Sequence, residues 1–198
     1  MARGRPRKTD PNRALDTSMK MFWEKGFEGT SMNDLAVATG MAKPGLYATF
    51  GDKEALYTKA LTHYFNELGL PLLHDLVRSP DPLDVVVRRF LDAVAASAVD
   101  KTSPGGCFVV NSVVECANRP APLDDLARGF DAKRRAAFID RFRTAKRQGE
   151  LPADADARAL AEFFAGQVLA LAIMGRAGAN RKSLNRFIGI AMKVIPVD

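Results

Sequence analysis

Apolar residues recur every three or four positions along most of the chain, and short polar stretches rich in Asp, Pro and Gly separate the runs. That period predicts amphipathic helices. Asp10-Pro11 offers an N-cap and a proline in the first turn, and Leu15, Met19, Phe22 and Trp23 follow at helical spacing until Gly26. Asp52 caps a helix whose stripe of Leu56, Ala60, Leu61, Tyr64, Phe65 and Leu68 ends near Gly69. Asp81-Pro82 opens another, carrying Leu83, Val86, Val87, Phe90, Leu91 and Val94. A long basic helix is expected over about 123–148, with Gly149 as its stop. A further helix starts at Asp154 or Asp156 and lasts to Arg176, and the last covers 183–195 before Pro196. The stretch 69–82, with Pro71, Pro80 and Pro82, reads as a boundary between two units. The segment CFVVNSVVEC, 107–116, is rich enough in Val to pass for a strand. A lone strand has nothing to pair with in so helical a chain, so it reads as a buried helix. The expected fold class is all-α.

Residues 31–54 are the most informative stretch. Ser31 is a good N-cap, with Asp34 three residues on to complete a capping box. Leu35 and Ala36 sit where the first short helix packs, and Gly40 supplies a left-handed stop. Leu46 and Phe50 form an i, i+4 apolar pair on the next helix, whose other face holds Lys43, Pro44, Gly45, Tyr47, Ala48 and Thr49 and no large aliphatic residue. Two short helices joined by a tight glycine turn, the second with an exposed small, polar and basic face, make a helix-turn-helix that reads duplex DNA.

Composition adds bounds. The 198 residues are 47% hydrophobic and 26% charged, as in ordinary globular proteins, and a net charge of +6 modestly favours a polyanionic partner. The placement of charge says more, since Arg3, Arg5, Arg7 and Lys8 all precede the first acid, Asp10. Two cysteines do not make a disulfide framework and fit a reducing cytoplasm. Nine residues of helix would part Cys107 from Cys116 by ~13 Å, whereas a bridge needs Cα atoms within ~7 Å. The basic N-terminus leads into polar residues rather than a signal-peptide core. The longest apolar stretch, 163–175, is short of the ~20 residues that span a bilayer. A soluble cytoplasmic protein with no membrane partner is expected.

The run GFEGTSMNDLAVATGMAKPGLYATFGDKEALYTKAL, above all Leu46-Tyr47, Phe50, Lys53-Glu54 and Leu56, resembles the N-terminal domain of the TetR/AcrR family of bacterial transcriptional regulators. The likeness is close over the first third of the chain. It implies a basic arm at 1–9, a three-helix DNA-binding head at 10–69 and a larger effector-binding and dimerisation body at 70–198. Two positions depart from the family pattern: Ala42 stands where a capping Ser or Thr is usual, and Gly45 where a hydroxyl often meets phosphate. Expected DNA contacts are Ser31, Met32, Lys43, Pro44, Gly45, Tyr47, Ala48, Thr49 and Lys53. Tyr47 and Lys53 fall to phosphate and Lys43 to phosphate or guanine, while Ala48 offers a methyl to thymine. The competing reading makes Tyr47 and Lys53 structural. Arg3-Gly4-Arg5-Pro6-Arg7-Lys8 resembles an arm for a narrow A·T-rich minor groove, or else a tail of nonspecific attraction.

In the body, Gly105-Gly106-Cys107 with Asn111 and Glu115 resembles a subgroup carrying Gly-Cys at the start of the sixth helix. Cys107 then reads either as a reactive thiol in a first helical turn or as a small inert hydrophobe. Asn111, Glu115 and Gln167 are polar residues in apolar helices, which either satisfy a neighbour or face a ligand cavity. Phe65, Phe90, Phe138, Phe142 and Phe163 are the aromatic residues proposed to line it. The resemblance assigns the last two helices to a homodimer interface through Phe164, Val168, Leu171, Leu184, Phe187, Ile188, Ala191 and Ile195. No P-loop, G-x-S-x-G, H-E-x-x-H, C-x-x-C or dinucleotide fingerprint occurs, and His63 and His74 with a lone cysteine would make an incomplete metal site. Neither an enzyme nor a cofactor or metal is therefore expected. The expected function is a regulator, most simply a repressor, that binds a near-palindromic operator as a dimer and is released by a small molecule or thiol-reactive agent. The rival is an architectural DNA-binding protein with no effector.

Overall fold

The computed structural model describes residues 10–115 and 120–196; the arm residues Arg3, Arg5, Arg7 and Lys8, and Cys116, lie outside them. Among the described residues there is no strand. The order is α1 (Pro11–Lys25), α2 (Met32–Thr39), α3 (Lys43–Phe50), α4 (Lys53–Tyr64), α5 (Leu70–Arg78), α6 (Leu83–Ala98), α7 (Phe108–Val114), α8 (Ala121–Arg147), α9 (Ala157–Arg176) and α10 (Arg181–Ala191). The Val-rich segment is helical, as tertiary packing outweighs strand propensity there.

The head starts where the sequence says it should. The Asp10 carboxylate accepts from the Asn12 amide at 3.0 Å, and Asp52 accepts from the Ala55 amide at 2.8 Å. Leu35, Leu46 and Phe50 turn inward and are buried in the same core as Phe22 of α1 and Leu56 of α4.

The stretch 69–82 is not a linker. It holds α5, with Leu73 and Leu76 buried, and α5 continues α4 through one wide π-turn at Phe65–Gly69. There the Leu70 amide donates to the Phe65 carbonyl five residues back. Pro71 explains the wide turn: it has no N–H to give and its ring would crowd the carbonyl of Glu67 in a regular helix. Proline therefore interrupts the hydrogen-bond register and leaves the helical rod whole.

The body wraps around α9, which packs against α8 and α6 while α10 lies along α6. At 20 residues α9 is long and apolar enough to cross a membrane, beyond the limit expected from its apolar run. It serves as a core helix instead, burying Ala157, Ala161, Phe164, Ala165, Val168, Leu171 and Ala172. Head and body share one continuous core. Phe108, from α7, enters an aromatic cluster with ring centroids 5.5 Å from Tyr57, 5.8 Å from Tyr64 and 6.5 Å from Trp23. Fully burying a phenylalanine contributes about 1.5–3 kcal/mol, so this one side chain is a substantial tie.

A second tie is ionic. Arg141 on α8 is 3% exposed; its guanidinium donates to both Glu150 carboxylate oxygens at 2.9 and 3.0 Å and to the Asp81 carbonyl at 3.0 Å. Glu150 also accepts the Leu83 amide, so one carboxylate caps α6 and neutralises α8. Its hydrogen bonds to Arg141 hold the Glu150 carboxyl below the usual range, against the opposing effect of burial. Because the folded state lowers this pKa, the stabilisation is complete above the unfolded value and is lost as pH falls through the folded one. Glu150→Gln should cost roughly 3 kcal/mol at pH 7 by leaving Arg141 without its counter-charge. Thermal unfolding at pH 7 and near pH 3.5 should show the gap between parent and variant narrowing in acid; a constant gap would count against this account.

Candidate functional site

The DNA-reading unit is built from caps and a turn. The Ser31 hydroxyl accepts from the Asp34 amide at 3.1 Å, and the Asp34 carboxylate accepts from the Ser31 amide and hydroxyl at 3.0 and 2.6 Å. These bonds hold the Asp34 carboxyl below its ordinary pKa. Gly40 takes φ 68° and ends α2, and the Thr39 hydroxyl donates to Leu35 O while accepting the Met41 amide. The next helix starts at Ala42 with no side-chain cap, and Pro44 lies in its first turn. The Lys59 ammonium donates to the Phe50 carbonyl at 2.7 Å, closing its far end.

With Leu46 and Phe50 buried, α3 turns Lys43, Pro44, Ala48 and Thr49 to solvent, and Tyr47 is 50% exposed. Ser31 is exposed, but its hydroxyl is engaged in the capping box. Met32 is half-buried against the head core, and Gly45 is half-buried with Met41 beside it. Lys53 sets its ammonium 4.1 Å from the centroid of the Phe27 ring. The face is mainly small side chains around Tyr47 and Lys43.

Behind the head lies a cavity of about 350 Å³ bounded by α4, the π-turn, α5, α6 and α8. Tyr64, Phe65, Phe90 and Phe130 supply its aromatic surface, with Phe65 and Phe130 stacked at 4.2 Å. Gly106 and Cys107 reach its wall because Gly105 and Gly106 both have positive φ, 82° and 72°. A Cβ on Gly106 would meet Ala172 O at 3.0 Å and Asn111 Oδ1 at 3.2 Å, so the chain passes too tightly for another residue. Burial and the neighbouring Cys107 thiol push the Tyr64 hydroxyl well above the ordinary tyrosine range.

Of the residues expected to form the effector site, Phe65, Phe90 and Cys107 line this cavity. Phe138 and Phe142 do not: both are fully buried in the core. Phe163 is 38% exposed on the outer face of α9, where Gln167 donates to its carbonyl at 3.2 Å. Asn111 and Glu115 face the head instead, in a groove beside Gly26 and Arg176. Glu115 accepts the Phe27 amide at 2.9 Å, and Gly26 leaves the space its carboxylate fills. Arg176 grips the same helix end by donating to Glu24 O, and also to Pro104 O at 2.7 Å. The buried Tyr57 hydroxyl and Ser112 Oγ meet at 2.6 Å. The Asn111–Glu115 pair thus belongs to the joint between head and body.

The residues assigned to the dimer interface are displaced likewise. Phe164, Leu171, Leu184 and Ile188 are fully buried within the chain, and Val168, Ala191 and Ile195 nearly so; Val168 also touches the cavity. Only Phe187 is half-exposed. The exposed large apolar residues here are Phe163 and Ile173 of α9, Ile190 of α10 and Val194 of the short turn that follows it, with Ile190 at 65% exposure. The sequence reading also missed Arg134, a cavity-wall residue. The row Phe130, Arg134, Phe138, Phe142 at four-residue spacing holds the available signal, since it places a charge in an apolar stripe.

Comparisons with known proteins agree with this anatomy. Residues 14–60 match the family described as bacterial regulatory proteins, tetR family, and residues 85–190 match the tetracyclin repressor-like C-terminal domain. The HTH-type transcriptional repressor ComR of Escherichia coli K12 is 29% identical over 195 residues, covering 98% of this chain and 93% of its own. The TetR family transcriptional regulator CifR, solved as a cysteine mutant with a 26 bp double-strand operator DNA, is 29% identical with a TM-score of 0.86, covering 98% of this chain and all of that one. A putative TetR regulator from Rhodococcus sp. RHA1 is 34% identical with a TM-score of 0.64, covering 96% and 100%. The helix-turn-helix head, the helical body and matches over both place this chain in the TetR family of DNA-binding transcriptional regulators.

Proposed function

We propose that the protein is a ligand-responsive repressor that binds a near-palindromic operator as a homodimer and leaves it when a small molecule enters the cavity. The observation that carries the effector part is the double engagement of α7. Cys107, which precedes α7, and Val109, within it, border the cavity. Phe108, between them, sits in the aromatic cluster of the head, and Ser112 and Glu115 bond to Tyr57 and Phe27. A guest that displaces this segment would strain contacts to the head, and a change in head placement would misalign the recognition helices. Such coupling must be reciprocal: if occupancy lowers DNA affinity, DNA must lower occupancy by the same factor.

The DNA contacts proposed are Lys43, Pro44, Tyr47, Ala48 and Thr49 on α3, with the basic arm at 3–8 in the adjoining minor groove. Direct readout by so few long side chains is thin, which supports a share for DNA shape. The homodimer is proposed through the outer face of α9 and α10, where Phe163, Ile173, Ile190 and Val194 leave an uncovered apolar strip.

Four measurements test this reading. Tyr47→Phe should weaken operator binding about fivefold, the worth of roughly 1 kcal/mol for one phosphate hydrogen bond, without changing sequence preference. Footprinting should show one symmetric protected site, while continuous coating would favour the architectural alternative. Ile173→Glu with Ile190→Glu should convert the dimer to a monomer by light scattering and abolish operator binding; an unchanged mass would move the interface elsewhere. Finally, the apolar fluorophore 8-anilinonaphthalene-1-sulfonate should bind the cavity and be released on adding operator DNA. Val94→Trp, which fills the cavity, should abolish the fluorescence and leave DNA binding intact. Dye binding indifferent to operator would remove the effector half of the proposal.

A further inference from the structure

The cavity wall is carbon-rich, and its polar side chains are few: Tyr64, Glu67, Ser97, Cys107 and Arg134. Arg134 stands out among them. It is 93% buried by the measure of its 7% exposure, and a guanidinium carries five N–H donors. One nitrogen donates to Asp131, but buried Nε has no partner among the described residues. Asp131 is itself divided, because Arg135 also donates to it at 3.0 Å. One carboxylate thus answers two guanidinium groups, leaving one positive charge in excess. Lys133 lies outside, its ammonium 5.5 Å from the Phe130 ring centroid. Burial pulls the Arg134 guanidinium below its usual pKa, and Asp131 offsets that only in part. A buried, under-partnered cation at the edge of an apolar space is complementary to an anion delivered by an apolar carrier.

We infer that the effector is a compact, mainly apolar monocarboxylate whose carboxylate is read by Arg134, beside the Tyr64 hydroxyl and the Cys107 thiol, while its hydrocarbon or ring portion lies among Phe65, Phe90 and Phe130. This inference rests on the effector reading above and gives it a chemical class. A neutral amphiphile would leave the charge unanswered. A phosphate ester or dicarboxylate brings more negative charge than the corner can neutralise, into a cavity at the small end of the range for ligand sites. Tyr64, with its ionisation disfavoured, serves as a hydroxyl donor to the second carboxylate oxygen.

The test compares 4-phenylbutanoate, 4-phenylbutanamide and 4-phenylbutan-1-ol, matched in bulk and differing in charge, by titration calorimetry on the full-length protein. The carboxylate should bind at least tenfold more tightly than the other two. Arg134→Met should erase that preference while the alcohol still binds, and Arg134→Lys, which keeps the charge but loses the planar fork, should retain part of it. Should Arg134→Met fail to fold by circular dichroism, a drop in carboxylate affinity in Arg134→Lys with unchanged alcohol affinity serves the same purpose. Equal affinities in the parent, no carboxylate binding, or a preference that survives Arg134→Met would each overturn the inference. Operator release is scored separately on the same samples. Carboxylate binding without release would count against the repressor mechanism and leave the ligand class standing.

Discussion

The burial of Phe108 is the constraint around which the rest is arranged. Its ring is enclosed by Trp23, Tyr57 and Tyr64, so α7 cannot move without disturbing the back of the DNA-reading head. The residues on either side of it, Cys107 and Val109, touch the cavity, so neither can the cavity change shape without pressing on α7. Interiors this closely packed respond to strain by discrete rearrangement more readily than by gradual yielding. The Glu115 bond to Phe27 and the Arg176 bond to Glu24 fasten the same joint from its outer side. Both use backbone groups at the end of α1, where the helix leaves carbonyls and the following turn leaves an amide to be satisfied.

The electrostatics divide by location. Arg141 and Glu150 bond to each other and to backbone groups, with Arg141 Nε left without a partner among the described residues, and they join α8 to the start of α6. Arg89 on the surface plays a lesser version of that part, donating to Asp75 and Asp81 across the α5–α6 turn. Exposed pairs of this kind contribute little to stability. Arg134 differs from both, because it is buried on the cavity wall and shares its one carboxylate, Asp131, with Arg135. Most buried charges in a fold are fully answered, and one that is not invites a functional explanation.

Much of this was legible in the sequence because helix punctuation is local. Asp10, Ser31, Asp52 and Asp156 each act as the cap their position predicts, and the all-α architecture follows from period alone. The exposed face of α3 was legible for the same reason: Leu46 and Phe50 fix which side is inward. What was not legible required knowing neighbours. Prolines at 71, 80 and 82 look like a linker until α5 is seen to continue α4 through a wide turn. An apolar stripe does not say whether it meets its own chain or another. Phe164 and Leu171 were therefore assigned to an interface although α6 and α8 cover them, while Ile173 and Ile190 face outward. Glu115 finds its partner in Phe27, in a segment some 90 positions earlier, which no local pattern encodes, while Asn111 Nδ2 is buried without a partner among the described residues.

The π-turn at Phe65–Gly69 has a consequence of its own. A helix carrying one surplus residue holds it in a loop that can migrate along the axis, exchanging one carbonyl partner for another at each step. Each residue the loop passes is turned about the axis by about 100° and moved along it by about 1.5 Å, while the helix on either side keeps its place. Here one side of the rod is α4, which carries Tyr57 and Tyr64 into the head, and the other is α5, which walls the cavity with Leu72 and Leu73. The wide turn is thus a local adjustment in a rod whose two ends are both packed into the protein. Phe65, Glu67, Leu68 and Gly69 all lie in that turn and line the cavity, so the irregular part of the rod is the part that faces the ligand space.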